Sequence, residues 1–330
     1  MSVSDSAALD ALRHWVGREY WPNPDGFVPD PVRPIDIAKY ASALEDRRDW
    51  QASGLGNAAP PGFMEVASPN YLAYHRMRGE EFLRHLLPVE SPWGPDWTPM
   101  MLVRGERWEI DRSVAVGDVI RGVSTITDVS WQEARGVRPA MLGVEFTKNY
   151  RDAGDEPLGR VVWDMVFVEH ALVEQRSPDA ETVPAQPDDP RRRNGAAPRS
   201  GEPIGRYSRT FDMEALVRWS AAIWDLGLPH VDPEYARRVY GLPHVVAHGP
   251  FINASLARLV TDWMDRGDRV VAHRGRFRRP VVGNDRLMLS GVVAEVRAAA
   301  AGTVSEIEAV ATNQYGEIVA ESRTVCALAG

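Results

Sequence analysis

One segment of the chain divides it into two halves that repeat the same order of elements. Residues 174–205 are rich in Pro, Asp and Arg and hold almost no large apolar side chain. Such a segment cannot bury enough apolar surface to offset the entropy lost on ordering, so the sequence predicts a linker that is extended over the surface or mobile. It separates two expected folded units, residues 1–173 and 206–330, in a chain of 330 residues, which is long enough for two domains.

The two units also match in their local patterns. Residues 37–46 align with residues 216–225, and both segments carry apolar residues at helical spacing and end on an aspartate. Residues 113–118 align with residues 279–284, and each is followed by a β-rich run. The shared order of a helix, a loop, a longer helix and several strands predicts two fused, diverged copies of one α+β unit.

The longer helix is clearest in the second unit. Residues 251–264 show the apolar stripe of a helix that packs on a sheet. Pro250 suits the first turn of this helix. Gly249 precedes it, so the backbone N–H groups at the helix start are expected to be free to face a ligand.

Asp225 and His230 stand five residues apart, just after the shorter helix of the second unit. A helix would not place them on one face, but a loop that folds back over the helix end can bring them into one cavity. A carboxylate beside an imidazole suits general acid/base chemistry, although spacing alone favours a helix-terminal Asp and a surface His. In the first unit Asp46 is followed at the same spacing by Gln51, so that copy has the carboxylate without the imidazole.

The sequence Asp-Leu-Gly-Leu-Pro-His at 225–230, followed by His-Gly at 248–249 and the apolar helix, resembles the signature of MaoC-like (R)-specific enoyl-CoA hydratases and dehydratases. The first unit resembles the N-terminal MaoC-like dehydratase domain of double-hotdog members. The resemblance implies an α+β double hotdog, with two curved antiparallel sheets that each wrap around a long central helix. Trp224 replaces the usual glycine before the aspartate, and Gly227 and Leu228 replace the usual Asn-Pro.

The resemblance also implies an activity. It is that of a hydro-lyase that adds water to a trans-2-enoyl-CoA thioester to give the (R)-3-hydroxyacyl-CoA, or runs the reverse dehydration. The thioester carbonyl would lie at the N–H of Gly249, an oxyanion hole, while Asp225 and His230 would hold the water. Neither direction needs a metal or a redox cofactor. The first unit would be a degenerate copy that shapes the acyl pocket, with Trp93 and Trp97 as candidate lining or as ordinary core residues.

A basic segment follows the long helix. Arg274, Arg276 and Arg278 fall on one face if residues 273–280 form a strand. These side chains could bind the phosphates of coenzyme A or of carrier-protein phosphopantetheine. A solvated strand face would show the same alternation.

Several alternatives stay open on the residues alone. They are a 3-hydroxyacyl carrier-protein dehydratase, a non-catalytic acyl-thioester-binding hotdog subunit, and a hotdog thioesterase. His244 and His248 have metal-like spacing, but Pro243 before them and Gly249-Pro250 after them argue against one helix face. The sequence therefore predicts no metal site and a structural role for His248.

Composition limits the partners and the location that we expect. The net charge of −8 argues against a nucleic-acid-binding protein with a broad basic face. No apolar stretch approaches the roughly 20 residues of a membrane span. Cys326 is the one cysteine, and the first residues lack the basic and apolar regions of a signal peptide, so we expect a cytoplasmic protein. The oligomeric state is left open between a single chain and a homodimer.

Overall fold

The computed structural model describes residues 7–20, 30–46, 58–66, 87–88, 100–136, 140–168, 192–299 and 302–329. Its helices are α1 (Ala7–Trp15), α2 (Pro34–Ala43), α3 (Phe63–Val66), α4 (Met213–Ile223), α5 (Leu228–Val231), α6 (Pro233–Tyr240) and α7 (Gly249–Trp263). Its strands are β1 (Glu19–Tyr20), β2 (Met100–Ile110), β3 (Arg121–Gln132), β4 (Met141–Arg151), β5 (Pro157–Val168), β6 (Pro203–Thr210), β7 (Arg269–Phe277), β8 (Arg286–Ala299), β9 (Gly302–Asn313) and β10 (Ile318–Leu328). Gln51, Trp93 and Trp97 lie outside these residues.

The described strands form one sheet in the order β1-β3-β4-β5-β2-β7-β10-β9-β8-β6. Every pair of neighbouring strands is antiparallel. In this order the strands of the first half are followed by those of the second half, and the two sets meet at β2 and β7. These two edge strands pair, and Trp108 on β2 lies opposite His273 on β7. The two halves therefore join edge to edge, as the double hotdog prediction requires.

Helix α7 is the central helix of the second half. It packs against β2, β6, β7, β8, β9 and β10, so the sheet surrounds it. Leu256, Leu259 and Val260 are fully buried on this helix, and Leu289 and Ile307 are fully buried on the facing strands. The apolar stripe predicted for residues 251–264 is thus the surface that holds the helix to the sheet.

The first alignment between the two units is confirmed by the backbone. Glu45 and Trp224 follow matched helices, and both have left-handed backbone angles, with φ of 55° and 58°. The next residue in each unit, Asp46 or Asp225, donates its N–H to a carbonyl of the preceding helix. The two helices, α2 and α4, pack together, with the rings of Tyr40 and Trp219 at 5.3 Å.

The alignment of residues 113–118 with residues 279–284 is wrong by one residue. The side chain of Asp118 accepts a hydrogen bond from Ala115 N–H at 2.8 Å, and that of Asp285 accepts one from Val282 N–H at 2.9 Å. Asp118 is therefore equivalent to Asp285 and not to Asn284. The sequence aligned the Gly-Asp and Gly-Asn pairs, whereas the carboxylate that closes the turn fixes the true register.

The described part of the predicted linker is packed against the second half. Arg193 is 7% exposed at its side chain and forms an ion pair with Asp268 at 3.0 Å. Its N–H also donates to the carbonyl of Trp263 at the end of α7, at 2.9 Å. The chain then enters β6 at Pro203, so this strand begins inside the segment 174–205. No helix in the described part of the chain is both long and apolar enough to cross a bilayer.

Candidate active site

Asp225 lies where α4 ends and the chain turns. Trp224, in its left-handed conformation, directs the chain away from the helix, and Asp225 N–H donates to the carbonyl of Ser220 at 3.1 Å. The Oδ1 atom of Asp225 accepts a hydrogen bond from Gly227 N–H at 3.0 Å. A Cβ on Gly227 would lie 3.1 Å from that same oxygen, which explains why a glycine fits this turn. The turn fixes the carboxylate and leaves Oδ2 for other partners.

His230 lies on the short helix α5, in the loop that folds back as predicted. Its Nδ1 is 2.7 Å from the carbonyl oxygen of Val246. Because a carbonyl oxygen only accepts hydrogen bonds, Nδ1 must carry the proton. In the neutral ring Nε2 then has a free lone pair and can accept a proton.

His248 completes the group, although the sequence predicted only a structural role for it. Its Nε2 lies 3.2 Å from Asp225 Oδ2, within ion-pair distance. Its ring stacks on that of His230, with centroids 3.5 Å apart and planes inclined by 22°. Its four-residue spacing from His244 is metal-like, but the flanking Pro243 and Gly249-Pro250 had argued against one helix face for the two histidines. The better signal was its place directly before Gly249, the predicted oxyanion hole.

Burial and the neighbouring imidazoles set the charges of this group. Burial by itself would raise the pKa of Asp225, but the adjacent His248 and His230 outweigh it and hold that pKa well below its usual range. Burial, with the charge of His248, lowers the pKa of His230 to about 3. At neutral pH the site therefore presents an ionised carboxylate beside a neutral imidazole.

The arrangement of these side chains could hold either a water molecule or a metal ion. Asp225, His230 and His248 each offer a ligand atom, and these atoms lie within 4.8 Å of one another. A water molecule can be held between a carboxylate oxygen and an imidazole nitrogen, and the same donor set is one that Zn²⁺ accepts. Metal binding needs neutral His230, since a protonated ring offers no lone pair, and removal of a proton from the water needs the same neutral form.

Gly249 begins α7 beside this group. The first N–H groups of a helix have no acceptor within the helix, so the N–H of Gly249 is a donor at the start of α7. Pro250, which follows, has no N–H. A Cβ at this position would lie 2.9 Å from the ring of Phe277, which only the absence of a side chain avoids. The helix dipole adds partial positive charge here, where a developing oxyanion would be stabilised.

All four residues open onto one cavity of about 460 Å³. The second half contributes the group around Asp225, and the first half contributes apolar side chains. The lining from the first half includes Tyr40, Val66, Met100, Met101, Leu102, Val103, Trp108, Met141, Trp163 and Val166, together with Glu65. A pocket of this size and polarity fits a small organic ligand with an apolar portion.

The predicted arginine face divides into two parts. Arg278 lines the cavity and pairs with Glu321. Arg274 and Arg276 are exposed on β7 and are not part of the cavity lining, because the strand alternation turns their side chains away from buried His273 and Gly275. Arg104 and Arg279 line the cavity instead, and the sequence did not single them out.

Comparisons with known proteins agree with this fold. Residues 196–314 match the family model of the MaoC like domain. A MaoC-like dehydratase structure is 17% identical over 97% of this chain and 100% of its own, with a TM-score of 0.68. A MaoC-like dehydratase from Phytophthora capsici is 14% identical over 96% of this chain and 98% of its own, with a TM-score of 0.63. No curated protein matches the sequence.

A third structure carries the name of the fold. A conserved protein of Mycobacterium tuberculosis with a double hotdog fold is 14% identical over 97% of this chain and 98% of its own, with a TM-score of 0.63. The edge-to-edge pairing of β2 with β7 and the central helix α7 are the features expected of that architecture. The chain therefore has a double hotdog fold, and its residues 196–314 are similar to the MaoC like domain.

Proposed function

We propose that this protein adds water to a trans-2-enoyl thioester to give the (R)-3-hydroxyacyl thioester, and catalyses the reverse dehydration, at Asp225 and His230. The observation that carries the proposal is the meeting of these two residues with Gly249 at one cavity. A MaoC-like domain supports a hydratase or dehydratase activity in general. The finer assignment rests on the site itself.

The charges at the site suggest how water is activated. A water molecule held by Asp225 and by Nε2 of His230 loses a proton to this pair as its oxygen attacks the β-carbon. The electron pair of the double bond moves toward the thioester carbonyl, whose oxygen is stabilised by the N–H of Gly249. The proton is then delivered to the α-carbon. One water thus supplies both the hydroxyl group and the hydrogen, and the addition is redox neutral.

His248 acts as a positioning residue in this proposal. It lies 3.2 Å from Asp225 Oδ2 while Gly227 N–H holds Oδ1, so both oxygens of the carboxylate have a fixed neighbour. Its ring also stacks against His230. Such contacts keep the carboxylate and the imidazole in one orientation, which favours a single water geometry.

The rest of the cavity suits an acyl thioester. The apolar side chains of the first half would bury the acyl chain. Arg278 and Arg279 on the lining offer positive charge toward the phosphates of coenzyme A or of a carrier-bound phosphopantetheine.

The direct test is a panel of enoyl thioesters, carried on coenzyme A and on a carrier protein, with loss of the conjugated double bond followed by absorbance. We expect turnover that persists in the presence of a metal chelator, because neither step of the proposed reaction uses a metal. Asp225→Asn should abolish most of it. The absence of turnover with every thioester, or equal turnover by Asp225→Asn, would contradict the proposal.

A further inference from the structure

The aromatic ring of Phe277 lies against Gly249 at the start of α7. Phe277 is the last residue of β7 and is partly buried against the main core. A Cβ on Gly249 would lie 2.9, 3.2 and 3.3 Å from three atoms of this ring, so the ring covers the Gly249 Cα. Both residues line the cavity, and the covered surface therefore belongs to the proposed site.

The sheet holds Phe277 over the first turn of α7. Phe277 pairs with Ala320 of β10. Because side chains alternate along a strand, Phe277 and the position of Gly275 share one face of β7, and Asn253 of α7 fills the space over Gly275. Asn253 comes one helical turn after Gly249. The two contacts therefore place the ring of Phe277 directly over the helix start.

The equivalent of Gly249 in the first half is Pro61. In each half, the residue two places before this position donates its N–H to the turn that follows the strand, from Ala59 to the carbonyl of Val114 at 2.7 Å and from Ala247 to that of Val281 at 2.8 Å. Pro61 and Gly249 therefore occupy matching places. Proline has no N–H, so Pro61 offers no donor to a ligand there.

The equivalent of Phe277 in the first half is Ile110. The residue after each strand donates its N–H to the neighbouring strand, from Asp111 to the carbonyl of Leu158 at 3.1 Å and from Arg278 to that of Val319 at 2.8 Å. The half that offers an N–H at the helix start thus has an aromatic ring over it. The half that offers none has a smaller aliphatic side chain.

An apolar cover changes what the N–H of Gly249 can do. Water competes for an exposed N–H, whereas a hydrogen bond shielded from water is electrostatically stronger. The gain is largest for a donor that faces developing negative charge, as an oxyanion hole does. The ring of Phe277 offers no competing hydrogen-bonding group, and it covers the Cα that adjoins the N–H.

We propose that Phe277 is a positioning residue that acts through Gly249. Its ring keeps water away from the Gly249 N–H and holds the thioester carbonyl against that donor. This rests on the proposed function, because it takes the ligand at Gly249 to be an acyl thioester. The contribution of the ring then appears mainly in the transition state, where the carbonyl oxygen gains negative charge.

The test separates turnover from binding. Phe277→Ala should lower kcat by about tenfold or more, since one oxyanion donor contributes roughly 100- to 1000-fold and would be weakened by water. The dissociation constant of a saturated acyl-pantetheine thioester, measured by calorimetry, should rise by about threefold or less, because this ligand develops no oxyanion. Phe277→Leu restores an apolar cover and should recover most of kcat.

Two further variants test the contact itself. Ile110→Ala removes the equivalent side chain of the first half, outside the cavity lining, and should leave kcat unchanged. Gly249→Ala keeps the N–H but adds a methyl group that displaces the ring of Phe277, so kcat should fall. In Phe277→Ala the methyl group has room, so the double variant should lose no more than Phe277→Ala alone. Denaturant midpoints verify folding, and Phe277→Val replaces Phe277→Ala if the latter does not fold.

The possible outcomes are distinct. Full kcat in Phe277→Ala, or equal losses of kcat and affinity, would overturn the role of Phe277 and leave the proposed function intact. Additive losses in the double variant would also overturn it, because the effect would not then pass through Gly249. Absence of turnover by wild type with every enoyl thioester would overturn the proposed function and this inference with it.

Discussion

The imidazole ring of His248 lies against that of His230, with centroids 3.5 Å apart and planes 22° from parallel. The two rings come from different segments, one from the loop after α4 and the other from the residue before α7. Each has a separate contact, His230 with the carbonyl of Val246 and His248 with Asp225. Only one of the two imidazoles therefore lies directly against the carboxylate.

This contact predicts a pH effect for His248→Asn. His248 helps to hold the pKa of Asp225 below its usual range, so its removal should raise that pKa. The charge of His248 also lowers the pKa of His230, so that pKa should rise as well. Because the ionised carboxylate and the neutral His230 are the active forms, the acidic limb of the kcat/KM profile should move to higher pH. Turnover at neutral pH should fall by about tenfold or more, since the carboxylate loses a fixed neighbour. His244→Gln, which changes a histidine outside the cavity lining, is the control. An unshifted acidic limb in His248→Asn would contradict the positioning role.

Asp225 and His230 should behave as one catalytic unit. Asp225→Asn and His230→Gln should each lower kcat by about 100-fold or more, the usual scale for a general acid or base. The double variant should lose little beyond the worse single one, because either loss already disables the proton transfers. Steady-state kinetics with one enoyl thioester measures all three.

Asp46→Asn is the matched control for Asp225→Asn. Asp46 occupies the equivalent place in the first half, after a helix that ends with the same left-handed residue. We expect its replacement to leave kcat nearly unchanged. Equal losses of kcat from Asp46→Asn and Asp225→Asn would show that the active site had been wrongly assigned to the second half alone.

His273 should make the folded protein sensitive to mild acid. Burial lowers the pKa of His273 to about 3 from an ordinary value of 6.5, so between these values the unfolded chain binds a proton that the folded protein does not. The free energy of unfolding should therefore fall as the pH drops below 6.5, by at most about 1.4 kcal/mol per pH unit from this residue.

Chemical denaturation of His273→Gln across this pH range tests the effect. The variant should be less stable than wild type at neutral pH, because His273 bridges Asn253 and Thr324, but its stability should decline less steeply with acid. His14→Gln removes an exposed histidine of α1 and serves as the control. A variant slope equal to that of wild type would show that His273 is not responsible.

The left-handed backbone conformation of Trp224 should lower the free energy of unfolding. A left-handed conformation costs a side-chain-bearing residue roughly 1–2 kcal/mol, and the side chain of Trp224 is 61% exposed, so packing returns little of it. Trp224→Gly should raise the free energy of unfolding by about 1 kcal/mol. Asn284→Gly is the control, because asparagine tolerates its φ of 74° and should gain much less. Denaturant midpoints that show equal gains would contradict the strain assigned to Trp224.

Glu45→Gly extends the comparison to the first half. Glu45 shares the left-handed conformation, but its carboxylate lies 3.7 Å from Arg209 and 4.0 Å from Arg258. Loss of these ion pairs should offset part of the gain in backbone freedom. We therefore expect a smaller stabilisation than for Trp224→Gly, measured in the same denaturation experiment.

Local pattern was enough to predict much of the fold. The apolar stripe of residues 251–264 predicted α7 almost to its ends, because a buried helical face must repeat at helical spacing. The repeated helix ending on Asp46 and Asp225 predicted two equivalent units, since a turn that recurs needs the same backbone angles. The spacing of Asp225 and His230 by itself favoured a helix-terminal Asp and a surface His. The resemblance to MaoC-like enzymes was what indicated a shared catalytic site, and its catalytic role stays a prediction.

The rest depends on contacts between segments that are distant in the chain. His248 meets Asp225 only because the residues before α7 pack beside the end of α4, and no spacing rule encodes that approach. The equivalence of Asp118 and Asp285 depends on which carboxylate closes each turn. Arg278 lines the cavity while Arg274 and Arg276 do not, because β7 ends at Phe277. The hydrogen bond from Asn253 to Glu106 joins residues of opposite halves across the paired edge strands. Periodicity determines which face of a segment is buried, but only tertiary packing determines which buried groups become neighbours.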